Sequence, residues 1–324
     1  MKSVDLIGCG ALNLDLIYRL PAGFALWDRL PPRGAETSLD DAQRAEIDEA
    51  LTELQPFRSG GGQAANVVYG LCRLGHSAVM IGRVGDDAEG ELLRDELGLQ
   101  ATQHVTRAGH SGRVYVLLDE GGERRNLVWP GTNDDFGPAD LPRKLPRARF
   151  AYLTSFVGDA PLEGQLALLE RLPATTEVAF DPGELYAGKG VKRFMPLLQQ
   201  TAYLFATEQE LELLCGVQLE RAIEFLVNLG VGTVVCKMGE RGARLVSRHG
   251  EIYVPPSPAA VVDVTGAGDL FAAGFIGALL EDLPLESVGR LAAWTASRGI
   301  GGLGRSAYPD AAAWHEQVEL ERSL

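Results

Sequence analysis

Short apolar runs alternate along the chain with longer segments in which apolar positions recur every three or four residues. The runs end in polar or glycine residues, as buried strands do. They are Val4–Cys9, Ala78–Ile81, Phe150–Leu153, Val178–Phe180, Tyr203–Phe205 and Thr233–Cys236. The first helical segment follows three glycines within residues 58–74. The others are Pro161–Leu172, Glu208–Leu214, Leu219–Leu229 and Leu270–Leu280. Because alternating strands and helices favour right-handed crossovers, the pattern predicts an α/β fold with an open, mostly parallel sheet covered on both faces.

Two segments interrupt this alternation. The first contains two runs of β-forming residues, Arg113–Leu118 and Arg125–Trp129, which are joined through Glu120–Glu123 and predict a β-hairpin. The second, residues 24–57, is rich in proline at first and then strongly acidic. Both segments are candidates for one small β-lid over the main domain.

A helix is predicted at 39–54, inside the second segment. Ser38 and Asp41 have the spacing of a helix start. An apolar stripe runs along this helix through Ile47, Ala50, Leu51 and Leu54. A stripe of this kind covers apolar surface, which would here be a sheet edge or a second subunit.

Length and charge exclude several classes of protein. With 324 residues, of which 46% are apolar and 23% charged, the chain suits one large globular unit with an appendage. No apolar run reaches the roughly 18–20 residues of a membrane helix, and the N-terminus lacks the pattern of a signal peptide. A net charge of −14, from 44 acidic and 30 basic residues, repels a nucleic-acid backbone. A small anion held by backbone N–H groups is compatible with that charge.

The cysteines and histidines show no disulfide or metal-binding pattern. Cys9, Cys72, Cys215 and Cys236 are scattered without a CxxC pair, which is typical of buried thiols in a reducing cytoplasm. The five histidines form no HxH, HxxxH or HExxH spacing. We therefore expect a cytoplasmic protein without a histidine-ligated metal.

The first glycine-containing segment follows the first strand and ends at Asn13. A dinucleotide-binding fingerprint needs a third glycine where Asn13 stands, so a nicotinamide-dependent oxidoreductase has only weak support. Asn13 and Asp15 are two residues apart, and alternate side chains of a strand point the same way. An amide and a carboxylate that face one cavity can bind vicinal hydroxyls, although the same pair also suits a turn or a cap.

A second glycine segment, Gly60–Gly62, leads into a helix that contains Asn66. Glycines let the backbone approach a ligand closely, and a helix start offers N–H groups without intrahelical partners. Asn66 lies about one turn into the helix, so its amide can reach the same pocket. The alternative is a flexible turn followed by a helix-facing asparagine.

The segment Asp263–Asp269 carries the strongest chemical signal in the chain. Gly266, Ala267 and Gly268 would present successive N–H groups at a helix N-terminus, an anion hole that needs no lysine. Asp269 falls in the first turn of that helix, where the helix dipole favours its ionised form. Such a carboxylate is a weak base, which suffices for phosphoryl transfer because the alcohol proton leaves late in a loose transition state.

These segments resemble those of the ribokinase/PfkB-type carbohydrate and nucleoside kinases, along nearly the whole chain. Residues 10–15 are similar to the family's substrate motif, 61–66 to its first signature and 263–269 to its second. Ile81–Gly90 resembles the strand–turn–helix that follows the first signature, and Pro130–Asn133 resembles the turn after the lid hairpin. The two signatures occur in the family's order, about 200 residues apart.

The resemblance implies ATP-dependent phosphorylation of a hydroxyl, usually a hydroxymethyl group, on a small sugar or sugar-like substrate by in-line transfer. It assigns Asp269 as catalytic base and the backbone of Gly266, Ala267 and Gly268 as anion hole. The substrate contacts that it implies are Asn13, Asp15, Gly61, Gly62 and Asn66. The nucleotide contacts that it implies are Thr207, Lys237, Gly239 and Gly242. It places Glu210 where the family glutamate orders Mg²⁺ through water.

The resemblance also divides the chain. An α/β core that binds nucleotide and substrate would comprise residues 1–15, 58–108 and 134–324, and the lid segments would be 16–57 and 109–133. Lids of this family often pair, which makes a homodimer through the lid a candidate assembly. Family members often bind a monovalent cation, for which Asp263, Thr265, Gly302 and Ser306 have ribokinase-like spacings. Because such a site uses mainly backbone oxygens, K⁺ dependence stays open.

Several positions depart from the family pattern. Thr207 stands where asparagine is usual, so it keeps an oxygen but loses the amide donor. Lys237 stands where threonine is usual, and it would either reach an ATP phosphate as a point charge or lie solvated at a strand end. Gln63 replaces the lysine of ribokinase, and Asp181–Gly183 departs from the common AspXxxAsn. The last two differences leave the sugar unidentified.

Two alternatives to a sugar kinase stay open. A nucleoside kinase of the same family would need a broad apolar wall for the base, which Phe24, Trp27, Trp129 and Phe156 could form. A non-catalytic sugar-binding protein on the same fold would be expected to lose the base or the anion hole, and this chain retains both.

Overall fold

The structure, a computed structural model, describes residues 3–21, 23, 24, 26, 36–120 and 124–324. In that part of the chain, fourteen strands form two sheets. The strands are β1 (Ser3–Cys9), β2 (Asn13–Arg19), β3 (Glu36–Ser38), β4 (Phe57–Gly61), β5 (Ala78–Val84), β6 (His104–Arg107), β7 (Gly112–Leu118), β8 (Arg124–Trp129), β9 (Arg147–Thr154), β10 (Glu177–Asp181), β11 (Thr201–Thr207), β12 (Thr233–Lys237), β13 (Ala243–Ser247) and β14 (Gly250–Val254).

Eleven α-helices connect or cover these strands in the same described residues. They are α1 (Asp41–Ala50), α2 (Gln63–Arg73), α3 (Ala88–Leu97), α4 (Ala160–Arg171), α5 (Gly183–Ala187), α6 (Val191–Leu198), α7 (Glu208–Cys215), α8 (Leu219–Leu229), α9 (Ala267–Leu280), α10 (Leu285–Gly299) and α11 (Ala311–Arg322). Short 3-10 helices occupy Gly131–Asp135, Pro138–Asp140 and Gly239–Arg241. No helix in the described residues is both long and apolar enough to cross a membrane.

The large sheet has nine strands in the order β14-β13-β12-β11-β10-β9-β1-β5-β6. Its strands are parallel except at one edge, where β13 pairs antiparallel with β12 and β14. One apolar cluster lies on each face of this sheet, packed against helices. The expected α/β fold with a mostly parallel, doubly covered sheet is therefore confirmed.

A second, small sheet has the order β3-β8-β7-β2-β4. Its strands β7 and β8 pair antiparallel, which confirms the predicted hairpin. Strand β2 of this sheet begins at Asn13, and strand β4 ends at Gly61. The small sheet therefore includes residues 13–15 and 58–61, which the sequence-based division places in the core. Alternate residues of β2 point to opposite faces: Leu14 and Leu16 enter an apolar cluster, whereas Asn13 and Asp15 line a cavity.

Helix α1 lies on the outer face of the small sheet. It begins at Asp41 and is capped by Asp40, not by Ser38, which belongs to β3. Asp40 prevails because its carboxylate accepts the N–H of Gln43 while the Gln43 side chain bonds back to the Asp40 N–H.

The apolar stripe of this helix packs against the small sheet of its own chain. Ile47 and Leu51 are buried in the same cluster as Leu14, Tyr115 and Leu127. Leu54 packs against this cluster in part, and Ala50 is exposed. Intrachain packing therefore accounts for the stripe, and the homodimer through this sheet stays a prediction.

Not all the cysteines are buried as predicted. Cys9 and Cys236 are buried and Cys215 is half-buried, but Cys72 is exposed on α2. The reason is that α2 packs its other face, with Val68 and Leu71, into the core. Cys72 thus lies on the solvent side of that helix.

Candidate active site

A cavity of about 290 Å³ lies between the carboxyl ends of the large-sheet strands and the inner face of the small sheet. Most of the residues implied for catalysis and for substrate, nucleotide and magnesium binding line it. These are Asn13, Asp15, Gly62, Asn66, Thr207, Glu210, Lys237, Gly266, Ala267, Gly268 and Asp269. The sequence-based selection therefore converges on one place, at the edge where open α/β sheets bind ligands.

Asn13 and Asp15 are held by groups that come from outside their own strand. The Asn133 Nδ2 atom donates to the Oδ1 atom of Asn13 over 2.9 Å and to the Leu12 carbonyl over 3.0 Å. Gly61 is opposite Asn13 in the β2–β4 pair and diagonal to Asp15, and a Cβ atom at this glycine would lie 2.1 Å from the Asp15 carboxylate. Gly61 is therefore needed for space, and the reading of Asn13 and Asp15 as mere turn or cap residues does not fit a strand that faces a cavity.

Asp269 lies in the first turn of α9, beneath this cavity. Gly266 precedes the helix with a φ of 73°, a left-handed conformation that glycine adopts without strain. The Asp269 Oδ2 atom accepts a hydrogen bond of 2.8 Å from Asn66 Nδ2. Although the Asn66 bond favours the ionised form, burial raises the pKa of Asp269 to about 7. Burial thus opposes the ionised form that the helix dipole favours, and the weak base expected at Asp269 stays a prediction.

One of the three N–H groups expected in the anion hole is already engaged. The Ala267 N–H donates to the Val264 carbonyl oxygen over 3.2 Å and closes the turn before α9. Gly266 and Gly268 line the cavity on either side of it. The turn that shapes the helix start therefore uses part of the donor set.

Lys237 lies at the end of β12 and forms a buried ion pair. Its Nζ atom is 2.7 Å from Oδ2 of Asp181, whose side chain is fully buried. Burial opposes the lysine charge, but the carboxylates of Asp181 and Glu210 raise the pKa of Lys237 above its ordinary value. A solvated strand-end lysine is therefore not what the structure has.

Thr207 and Glu210 form a reciprocal cap at the start of α7. The Glu210 Oε2 atom accepts the Thr207 N–H over 2.6 Å, and the Thr207 hydroxyl accepts the Glu210 N–H over 3.2 Å. Burial raises the pKa of Glu210, and the charge of Lys237 opposes that shift. A half-buried carboxylate that lines the cavity in this way suits a bound cation.

A second cavity, of about 570 Å³, opens beside the first. It is lined on one side by Gly239 and Gly242 and on the other by apolar residues of α9 and α10. The two cavities share Lys237, Val264, Ala267 and Gly268 in their walls. A ligand that fills both would pass directly over the N-terminus of α9.

The four residues suggested for a monovalent cation lie on two adjoining turns. Asp263 Oδ1 accepts from the N–H and the hydroxyl of Thr265, at 2.9 Å and 2.7 Å. In the other turn, Ser306 donates to the Leu303 carbonyl, close to Gly302. Among the described residues, no group of three or more His, Cys, Asp or Glu side chains could hold a metal ion. The hydrogen bonds of Asp263 Oδ1 are therefore made to Thr265 of the same turn.

Comparison with known proteins agrees with this geometry. The family model of the pfkB family carbohydrate kinases matches residues 39–307. An uncharacterised sugar kinase of Archaeoglobus fulgidus is 35% identical over 241 residues, which cover 71% of this chain and 94% of that protein. The chain belongs to the pfkB family of carbohydrate kinases.

Other relatives of this pfkB-family kinase differ in their named substrates. An ATP-dependent ribose-1-phosphate kinase of Halopiger xanaduensis is 31% identical over 289 residues and 87% of each chain. The crystal structure of adenosine kinase from Sinorhizobium meliloti has a TM-score of 0.85 at 24% identity, and the match covers 97% of this chain and 99% of that one. The latter likeness confirms the ribokinase-like fold. The enzyme is accordingly a phosphotransferase of the carbohydrate and nucleoside kinase type.

Four residues near the site have no motif that marks them. Glu36 and Arg124 come from the small sheet, Glu184 follows β10, and Arg305 lies in the turn between α10 and α11. The Arg124 Nη1 atom donates to the Thr265 hydroxyl over 2.9 Å, and the Glu36 N–H donates to Glu184 over 3.1 Å. These bonds join the small sheet to the core. Their long separation along the chain explains why local patterns do not reveal them.

Proposed function

We propose that this pfkB-family kinase transfers the γ-phosphoryl group of ATP to a hydroxyl, in particular a hydroxymethyl group, of a small neutral sugar. The observation that carries the proposal is the junction of the two cavities at the N-terminus of α9. There Asp269 faces the polar cavity and Gly268 borders both cavities. A phosphoryl donor in one cavity and an alcohol in the other would meet at that junction.

The chain's own residues supply the steps of the transfer. Asn13 and Asp15 hold the sugar hydroxyls so that the reacting hydroxyl lies beside Asp269. As the bond between this oxygen and the γ-phosphorus forms, the bond to the β-phosphate oxygen breaks and the hydroxyl proton passes to Asp269. The N–H groups of Gly266 and Gly268 favour the charge on the transferred group. The products are a sugar phosphate and ADP.

Lys237 and Glu210 are suited to the polyphosphate and its magnesium. The ammonium of Lys237 lines both cavities, where it would face phosphate oxygens as a point charge. Glu210 would hold Mg²⁺ through water, and the ion would neutralise developing phosphate charge. Gly239 and Gly242 would border the nucleotide in the second cavity. K⁺ activation through the turn of Asp263 is a separate proposal, which kinase assays with and without K⁺ would decide.

A free sugar fits the cavity better than a nucleoside. Phe24 and Trp129 pack into the outer cluster of the small sheet, and Trp27 lies outside the described residues. Phe156 does line the cavity, but it is buried in a stack with Phe136. Of the three candidate aromatic residues that the structure describes, only Phe156 is thus placed to face a base.

The charge of the wall favours a neutral substrate over an anionic one. Glu36 and Glu184 line the cavity with Arg124 as the neighbouring cation, and burial, with the added charge of Glu184, raises the pKa of Glu36 to about 7. A sugar phosphate would meet two carboxylates there. The named activity of the Halopiger xanaduensis relative makes ribose 1-phosphate the direct test of this reasoning.

The small sheet would act as a lid in a cytoplasmic enzyme. The bonds of Arg124 to Thr265 and of Glu36 to Glu184 hold it against the core and over the cavity. Closure of this kind excludes water and limits wasteful ATP hydrolysis.

The test is ADP release in a coupled assay with Mg·ATP over pentoses, hexoses, keto-deoxy sugar acids, myo-inositol, ribose 1-phosphate and nucleosides. Asp269→Asn should lower turnover by about 10²–10⁴-fold, and Asp86→Asn, at an exposed carboxylate, should leave it unchanged. Turnover on neutral sugars that depends on Asp269 supports the proposal. Turnover confined to nucleosides or to ribose 1-phosphate would overturn the proposed substrate class. Inactivity across the panel in a protein that binds ATP would mean that the substrate lies outside the panel, whereas inactivity without nucleotide binding would favour the non-catalytic sugar-binding protein.

A further inference from the structure

Asn66 connects the catalytic carboxylate to a buried arginine that no motif contains. Its Nδ2 atom donates to Asp269 over 2.8 Å, and its Oδ1 atom accepts from the Nε atom of Arg305 over 3.0 Å. The amide can serve both partners in one orientation only, because Arg305 offers donors and the Asp269 carboxylate offers acceptors. Arg305 therefore fixes which end of the amide faces the base.

Arg305 is itself held firmly. The residue is only 8% exposed, and its Nη1 atom lies 3.3 Å from Oε2 of Glu96, which also accepts the Gly60 N–H. Its guanidinium carbon is 4.8 Å from the ring centroid of Tyr69. The Nη2 atom is buried and has no hydrogen-bond partner among the described residues. A buried charged group with an unsatisfied donor costs stability. Natural proteins retain such a cost mainly where the group has a role at a functional site.

The charge of the same guanidinium acts on two carboxylates of the site. Burial raises the pKa of both Asp15 and Asp269 to about 7, and the charge of Arg305 lowers both. Lys237 opposes the shift at Asp269, but this lysine is paired with Asp181. The other titratable groups whose charges act on Asp269 or Asp15, or are acted on by them, are Asp181, Glu36, Tyr152, Asp263 and Tyr308. Among these groups Arg305 is the cation common to both carboxylates.

We infer that Arg305 is a positioning residue for the phosphoryl transfer: it holds the Asn66 amide in the orientation that donates to Asp269. This role rests on the proposed function. Arg305 does not line the cavity, whereas Asn66, Asp15 and Asp269 do. It therefore acts through these residues and not by contact with the substrate.

The test compares Arg305→Met and Arg305→Lys with wild type, and uses Arg290→Met as the matched control. Arg290 forms a partly buried pair with Glu321 on the far helices α10 and α11. Arg305→Met should lower kcat about 10–100-fold, the scale expected when a catalytic group is misplaced by an ångström or so. In the pH profile of kcat/KM for this variant, the acidic limb should move to higher pH. The reason is that loss of the cation raises the pKa of Asp269, so the base becomes ionised only at a higher pH. KM for ATP should change little.

Arg305→Lys keeps the positive charge, but a lysine ammonium cannot reproduce the separate Nε and Nη1 hydrogen bonds of the arginine to Asn66 and Glu96. It should keep the acidic limb near that of wild type while losing about 3–10-fold in kcat, within the range of a weakened catalytic contact. Arg290→Met should lower the unfolding temperature without moving the limb. If both Arg305 variants lose thermal stability but keep the wild-type kcat and pH limb, the residue is only structural and the inference is overturned.

A second measurement separates this inference from the proposed function. In the substrate-free protein at pH 8, the loss of Tm caused by Arg305→Met should be smaller in an Asp269→Asn background than in wild type. Equal losses would overturn the coupling, whether or not a substrate has been found. Inactivity of the wild type across the panel, with the coupling present, would instead count against the proposed function alone.

Discussion

Replacement of Asp269 by asparagine should stabilise the substrate-free protein although it lowers turnover. Burial raises the pKa of Asp269 from 3.8 to about 7, and each pKa unit corresponds to about 1.4 kcal/mol. Keeping this carboxylate ionised above pH 7 therefore costs about 4 kcal/mol. An asparagine at this position keeps an acceptor for the Asn66 amide and removes the buried charge.

The expected gain is about 2–4 kcal/mol at pH 8, since rearrangement around the new amide would consume part of it. The sign follows from proton binding: the folded carboxylate binds its proton more tightly than the unfolded one, so wild-type stability falls as pH rises from about 4 to about 7. The advantage of Asp269→Asn should grow over the same interval and level off above it. Near pH 4 the two proteins should be equally stable.

Urea unfolding followed by tryptophan fluorescence at pH 5, 6, 7 and 8 measures this effect. Asp86→Asn serves as the control, because the Asp86 side chain is 70% exposed and a surface change of this kind alters stability by less than about 0.5 kcal/mol. A gain for Asp269→Asn that is the same at pH 5 and pH 8, or no gain at pH 8, would refute the reasoning from burial.

Three further substitutions test other parts of the structure. Gly61→Ala would place a Cβ atom 2.1 Å from the Asp15 carboxylate; the KM for the sugar should rise at least about 10-fold with the KM for ATP unchanged, and an unaltered sugar KM would contradict the assignment of Asp15. Ile47→Asp buries a charge in the outer cluster of the small sheet, so calorimetry should show a loss of about 3 kcal/mol or more; wild-type stability would mean that α1 does not pack as described. Lys237→Met leaves Asp181 buried without its cation, which should cost about 3–5 kcal/mol of stability and weaken ATP binding measured by calorimetry. Lys237→Arg should restore much of the stability. An ATP affinity equal to wild type in Lys237→Met would remove the lysine from the nucleotide site.

Much of the fold follows from local patterns. The strand at Val4–Cys9 and the helix at Leu219–Leu229 were predictable because their apolar periods match a buried strand and an amphipathic helix. Asn13 and Asp15 were predictable as a pair that shares a face, since the period of two decides this before any tertiary contact forms. The start of α1 was not, because both Ser38 and Asp40 are good caps and the pairing of β3 with β8 determines which of them is used.

The electrostatics of the site could not be obtained in this way. The partner of Lys237 is Asp181, at the end of a strand 56 positions earlier, and the link from Arg305 to Asn66 spans 239 positions. Only the three-dimensional arrangement shows that Asp269 is buried and that burial acts against the ionised form favoured by the dipole of α9. Pairings at this distance depend on the sheet order, which no local period encodes.

Helix α1 has a consequence for the behaviour of the enzyme in dilute solution. In the described residues, this helix occupies the outer face of the small sheet with Ile47 and Leu51, and Asp48 accepts a 2.6 Å bond from the Tyr115 hydroxyl. Because its own chain already covers this apolar outer face, the small sheet can keep its shape over the cavity without a second subunit on that face. Specific activity should therefore stay constant as the enzyme is diluted through the range in which paired subunits would come apart.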